Sequence, residues 1–168
     1  EKGISKVVMA MIDPNPKVAG RGVAMLKEAG IQVVCGILEQ EAKKLNEIFI
    51  KYITQKRPFV IMKTAMTLDG KIASARGDSK WISGEASRRY VHTLRNRVTA
   101  VMVGINTVLA DNPSLTARLD SETTRDPVRI VVDSKGLIPP DSRVINEESS
   151  AGLILATTTA IDPEKERL

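Results

Sequence analysis

Along the first third of the chain, short apolar runs alternate with stretches whose apolar residues fall at helical spacing. Residues 7–11 form the first run, and residues 22–28 read as a helix closed by Gly30. Residues 33–37 form a second run. Residues 39–55 then carry Ala42, Leu45, Ile48, Phe49 and Tyr52 three and four apart, with Glu39, Glu41, Lys43 and Lys44 between them. The pattern predicts strand, helix, strand and one long helix, with a shaped Pro/Gly loop over residues 13–22. At Gln55-Lys56-Arg57-Pro58 the pattern breaks, because the residue before a proline is pushed out of helical geometry. A domain boundary is placed there, separating residues 1–57 from 58–168.

A second alternation follows. Residues 59–66 read as a buried strand, residues 67–71 (TLDGK) as a turn, and residues 72–74 as a return to extended chain before a polar loop over 75–80. Ser83 or Gly84 is placed as the cap of a helix running to about Val98, with Glu85 early and Arg95 and Arg97 late, as the helix dipole favours. Strands are predicted at residues 100–103, 128–133 and 153–156, and another helix opening at Asp162-Pro163-Glu164. Strands alternating with helices make this an α/β chain.

Residues 103–118, VGINTVLADNPSLTAR, combine a strand end, a glycine, a polar helical turn and a charged loop. Gly104 allows close approach of a ligand to the backbone. If residues 105–110 are helical, Thr107 and Asp111 share one face. The same residues also read as a plain strand-to-helix connection with an Asx-type turn at Asp111-Asn112-Pro113.

Composition narrows the chemistry. The 168 residues are 42% hydrophobic and 27% charged, an ordinary soluble balance, and only 3% aromatic, which leaves no stacking platform for single-stranded nucleic acid. The formal net charge is +5, but the basic residues are dispersed, so a phosphorylated small molecule suits them as well as a polyanion. No nucleic-acid partner is expected. Cys35 is the sole cysteine and is read as a small buried hydrophobe. One Cys and one His cannot build a zinc site or a disulfide, so no metal is expected on this chain. No signal-peptide pattern or membrane-length apolar run is present, and a cytoplasmic protein is expected. His92 is read as a helix-surface residue.

Four motifs stand in order: KTAMTLDGKIA from Lys63, DSKWISG from Asp78, VGINTVLADNPSLTAR from Val103 and VRIVVDSKGLIPP from Val128. Together they resemble the reductase domain of the bifunctional riboflavin-biosynthesis deaminase/reductase family, and residues 12–50 resemble the end of that family's deaminase domain. The resemblance implies a partial cytidine-deaminase-like α/β segment over 1–57 and an incomplete dihydrofolate-reductase-like α/β domain over 58–168. It implies NADPH-dependent reduction of the ribosyl group of 5-amino-6-(5-phosphoribosylamino)uracil to ribityl. Carried onto matching positions, the cofactor side comprises Ala65, Trp81, Thr107, Asp111 and Ser134, and the substrate side Ser79, Arg95, Leu115 and Arg118.

Asp111 is the candidate proton relay, with Lys63 beside it in the catalytic group and Asp69 as a possible charge partner of Lys63. The planar fork of arginine suits a phosphate or a uracil carbonyl. The family's zinc motif has no counterpart here, nor does its glycine-rich loop over the NADPH phosphates. The chain is therefore expected to be an impaired fragment without deaminase activity, with exposed edges that favour a homo-oligomer. Two alternatives stay open: a dihydrofolate- or pteridine-reductase-like enzyme, and a noncatalytic remnant that binds a nucleotide or a partner.

Overall fold

The computed structural model describes residues 3–120 and 124–159. The expected helix at Asp162-Pro163-Glu164 lies outside them. The chain divides into two compact units, Glu1–Lys63 and Thr64–Leu168.

In the first unit, β1 (Lys6–Met9) and β2 (Gln32–Cys35) pair in parallel, in register from Lys6↔Gln32 to Met9↔Cys35. Parallel neighbours need a crossover, and α1 (Arg21–Glu28) supplies it. Gly30 ends that passage at φ 75°, a left-handed turn suited to glycine, with its N–H donated to the Lys27 carbonyl. An apolar cleft of about 650 Å³ lies beside β1 and α1, lined by Met9, Met11, Ile12, Val23, Met25 and Leu26 among others.

Two expectations fail in this unit. The long helix over 39–55 is two helices, α2 (Glu39–Leu45) and α3 (Glu47–Gln55), joined at Asn46 with φ −104° and ψ 15°. The cause is local: the Asn46 side-chain amide donates to the Ala42 carbonyl at 2.8 Å, competing with the backbone ladder in the way that makes asparagine a poor helix-interior residue. Cys35 is exposed, not buried. It ends a two-stranded sheet with no further described strand to cover it.

The stretch that leads from the first unit into the second, residues 57–84, carries no helix or strand. The strand expected over 59–66 and the extended return at 72–74 are absent: no described strand takes their N–H and C=O groups, and an apolar run becomes a strand only through that pairing. The TLDGK turn is present. Thr67 N–H donates to the Lys71 carbonyl and Gly70 N–H to the Thr67 carbonyl, both at 2.9 Å, with Gly70 at φ 78°.

From residue 85 the order is α4 (Glu85–Arg97), β3 (Ala100–Gly104), α5 (Ile105–Asp111), β4 (Val128–Val132), α6 (Arg143–Asn146) and β5 (Leu153–Ala156). The sheet is parallel throughout, in the order β3-β4-β5, registered from Ala100↔Val128 to Gly104↔Val132 and from Arg129↔Leu153 to Val132↔Ala156. Its core gathers Val108 of α5, Leu115, Val131 of β4, Ile138 and Val144 of α6, with Val101, Val103, Ile105, Ile145, Leu153 and Leu155 packed around them.

The four-residue α6 was not anticipated, since one turn is too short to show a period. Arg129 holds it from below. Its buried guanidinium donates to the carbonyls of Val144 (3.0 Å) and Ala151 (3.2 Å), tying β4 to the end of α6 and to the approach to β5. No helix among the described residues is long and apolar enough to cross a membrane.

Val131 has no solvent exposure and sits at the centre of this core. Val131→Ala is expected to cost about 2 kcal/mol, read as a lowered denaturant midpoint; an unchanged midpoint would place the core elsewhere.

Candidate functional site

Because β3 and β4 run in parallel, their C-terminal ends lie at one edge of the sheet, where open α/β sheets place ligands. Gly104 ends β3, and a Cβ built on it would meet nothing within 4 Å. The chain passes directly into α5, whose exposed Thr107 and Asp111 are one helical turn apart. On the neighbouring strand, Ser134 follows β4 in a turn built by Asp133. The buried Asp133 carboxylate accepts the Ile138 N–H at 2.8 Å, and the Thr158 hydroxyl donates to the Ser134 carbonyl at 2.7 Å. Ser134 itself is exposed at the edge.

The loop after α5 leaves through Asn112, which adopts the left-handed region at φ 42°. The expected Asx-type turn is replaced by a longer reach: the Asn112 side-chain oxygen accepts the Arg143 N–H at 2.8 Å, capping the first residue of α6. Asparagine tolerates this backbone conformation, which frees its side chain for the distant contact.

Ser114, Leu115, Thr116 and Ala117 are all buried, and two successive peptide groups there are held at three atoms by side chains and not by a strand ladder. The Thr116 carbonyl accepts Arg95 Nη1 at 3.0 Å, the Ala117 N–H donates to Asp126 Oδ1 at 2.8 Å, and the Arg118 N–H donates to His92 Nδ1 at 3.1 Å. Asp126 is fixed in turn by the Ser149 hydroxyl at 2.7 Å. Asn96 of α4 accepts the Arg125 N–H at 2.6 Å, so one face of α4 is bonded to both ends of this region.

Electrostatics mark the same place. Burial, and then the nearby Arg118 charge, hold the Arg95 guanidinium below the ordinary arginine value. Burial and the charges of Arg95 and Arg118 together push the His92 imidazole below its ordinary value. Among the described residues neither guanidinium has a carboxylate within 4 Å. Arg118 Nη1 lies 3.5 Å from the Ser114 hydroxyl, which also bonds the Glu147 carboxylate. That bond is the main reason Glu147 sits below the usual carboxylate range; burial opposes it and Arg143, paired at 2.9 Å, supports it. Two like-charged guanidiniums, Arg95 on α4 and, depressing it, Arg118 on the loop that Arg95 holds, are an arrangement that an anion relieves.

The structure therefore brings Arg95, Leu115 and Arg118 together and places Thr107, Asp111 and Ser134 along one sheet edge. Leu115 differs from a side-chain contact residue. Its side chain belongs to the hydrophobic core and the whole residue is buried, so it offers no exposed side chain to a ligand. Ala65, Ser79 and Trp81 lie in the stretch before α4, and no described hydrogen bond joins them to the 112–120 loop. The Trp81 ring is 72% exposed and carries the Arg88 guanidinium 4.3 Å from its centroid, a cation–π contact. Asp69 accepts the Thr67 hydroxyl within the TLDGK turn, whereas exposed Lys63 ends the first unit.

His92 corrects its reading as a surface residue: it is half-buried and bonded to the loop. Asp126 was missed, since an Asp before Pro reads as turn chemistry and nothing in sequence spacing links it to Ala117. For His92 a signal did exist, three residues before Arg95 on one helix face.

The model of the RibD C-terminal domain matches residues 58–168. The riboflavin biosynthesis protein RibD of Aquifex aeolicus is 47% identical over 153 residues, covering 91% of this chain and 43% of that protein. RibD of Actinobacillus pleuropneumoniae is 48% identical over 159 residues, covering 95% and 42%. Among solved structures, a diaminohydroxyphosphoribosylaminopyrimidine deaminase/5-amino-6-(5-phosphoribosylamino)uracil reductase from Thermotoga maritima superposes with a TM-score of 0.81 at 49% identity, over 97% of this chain and 46% of that one. The chain spans less than half the length of these relatives.

Removal of the Asp126 carboxylate leaves the buried Ala117 N–H and the Ser149 hydroxyl without their partner. Asp126→Ala is expected to lower stability by about 1–3 kcal/mol, with Asp126→Asn, which keeps an acceptor oxygen, recovering most of it in the same thermal or denaturant melt. Equal melts for all three proteins would contradict the role of this contact.

Proposed function

The chain belongs to the RibD C-terminal domain family, and on that premise we propose that residues 58–168 form part of an NADPH-dependent reductase that converts the ribosyl group of 5-amino-6-(5-phosphoribosylamino)uracil to ribityl. Membership makes it a homologue of a riboflavin-biosynthesis reductase domain, a family that uses NADPH. The substrate is the one printed for the Thermotoga relative. The observation that carries the reading is the pairing of Arg95 on α4 with Arg118 on the loop that Arg95 holds: two cations without an ion pair among the described residues suit the phosphate of a sugar-phosphate substrate. The proposal includes a dihydrofolate-reductase-like plan for this domain and a cytidine-deaminase-like origin for residues 1–57.

The residues at the sheet edge fit a dinucleotide. Gly104 leaves open space at the end of β3, Thr107 and Asp111 offer hydroxyl and carboxylate groups on one face, and Ser134 stands at the end of the adjacent strand. In this reading Thr107, Asp111 and Ser134 bind cofactor hydroxyls or phosphates, with Trp81 and Ala65 completing its site. Bound there, the nicotinamide supplies the hydride. Arg95, Arg118, Ser79 and the Leu115 backbone hold the substrate so that its open-chain carbon is the one presented, and binding geometry then does much of the catalysis. Asp111 holds or relays the proton that the reduced oxygen or nitrogen must gain, with Lys63 as a second catalytic candidate.

Consumption of NADPH by the protein carrying this chain, with the phosphoribosylamino-pyrimidine as substrate, tests the proposal. Arg118→Ala is expected to raise KM about 100-fold, with Arg118→Lys falling between because a point charge replaces a planar fork. Asp111→Asn is expected to lower kcat about 100-fold with a smaller effect on KM. An unchanged KM in Arg118→Ala would sink the assignment of the arginine pair.

A further inference from the structure

Among the described residues, three side chains hold the 116–118 backbone, those of Arg95, Asp126 and His92, and His92 alone does so through an imidazole nitrogen. Its Nδ1 accepts the Arg118 N–H at 3.1 Å, and an accepting nitrogen carries no proton. The neutral ring in this contact therefore has its proton on Nε2. The Thr116 carbonyl also acts on this ring, favouring its protonated form.

From this geometry we infer that His92 is a positioning residue for the substrate site: the neutral imidazole fixes the main chain of Arg118 and thereby the direction in which its guanidinium is presented. The inference rests on the proposed role of Arg118 in holding the substrate. It adds a residue to the site, and it adds a condition, since only one form of the ring can do the work. A proton on Nδ1 would face the Arg118 N–H, donor against donor, and would place a third positive charge beside two guanidiniums.

The charged and polar groups that face the ring are Arg95 on its own helix and, on the loop packed against it, Arg118 and the Thr116 carbonyl. The two arginines and burial all favour the neutral form, and only the carbonyl opposes them. The sign follows. The contact is intact above the lowered imidazole value and is lost as the pH falls through it, so the site loosens on the acid side. Simple charge attraction to an anion would run the other way, because a cationic His92 would add to the field.

Two measurements test this. In long-range proton–nitrogen spectra, with the His92 ring assigned by its loss in His92→Asn, the wild-type ring is expected to show an unprotonated Nδ1, a protonated Nε2 and a midpoint below 6.5. A neutral ring protonated on Nδ1, or a midpoint at or above 6.5, overturns the inference whatever the enzyme does. In steady-state kinetics, His92→Ala is expected to raise substrate KM about fivefold near neutral pH with kcat changed less.

His92→Asn, whose side-chain oxygen reaches the place of Nδ1, is expected to restore KM and to remove the acid-side rise that remains after the substrate's own titration is matched. Unchanged KM in His92→Ala, beside a raised KM in Arg118→Ala, overturns the inference while leaving the function standing. Unchanged KM in both overturns the reading on which it rests. Should His92→Ala fail to fold, the wild-type spectra and the His92→Asn pH profile still decide.

Discussion

Parallel pairing of β3 with β4, in register from Ala100↔Val128 to Gly104↔Val132, forces the C-terminal ends of both strands to a single edge. An antiparallel pair would have put them at opposite ends. With the parallel ladder in place, the residues that follow β3 and those that follow β4 become neighbours although some thirty positions of chain separate them. The α5 face with Thr107 and Asp111, the Asp133-built turn with Ser134, and the loop carrying Arg118 all inherit their positions from that one ladder. The buried side chains of Val108, Val131 and Val144 press the crossover elements against it, so the edge is held from beneath by packing and above by hydrogen bonds.

The loop at residues 114–118 solves a different difficulty. Buried backbone without a ladder must find other partners, or each lost hydrogen bond costs stability. Here the partners are side chains drawn from α4 and from the segment before β4. Such a solution is specific in a way that a ladder is not. A strand accepts almost any residue beside it, whereas this loop requires an acceptor at 92 and 126 and a donor at 95. The same substitutions that would free the loop would also leave polar groups buried without partners, so rigidity and solubility of the loop's charges are tied together.

Much of the second unit was legible from residue order. Helix α4 announces itself by Glu85 at its start and Arg95 and Arg97 at its end, and β3, β4 and β5 by short runs that are apolar apart from Arg129 in β4. The misreadings have a common physical origin. Residues 59–66 have a strand's composition, but composition does not supply a neighbour. Residues 39–55 have a helix's period, but Asn46 bonds its own preceding turn. The α6 turn has no period to detect. At the site, Arg95 and Arg118 were identified through a family resemblance, while their joint hold on one loop emerged only in three dimensions. His92 and Asp126 act on backbone atoms of residues more than eight positions away, and a pattern of side-chain types carries no record of which peptide N–H each will meet.

Leu115 has a backbone in the left-handed region, at φ 60°, and a side chain only 3% exposed within the core. For a branched residue that conformation costs roughly 1–2 kcal/mol, and core packing offsets it. The two demands pull a redesign in opposite directions. Glycine would relax the backbone and empty the core; asparagine would suit the backbone and bury an amide; a larger hydrophobe would crowd Val131 and Val144. Each of these replacements gives up one half of what leucine supplies. Position 115 is therefore held between two opposing demands, and a redesign there begins with the turn from Asn112 onward.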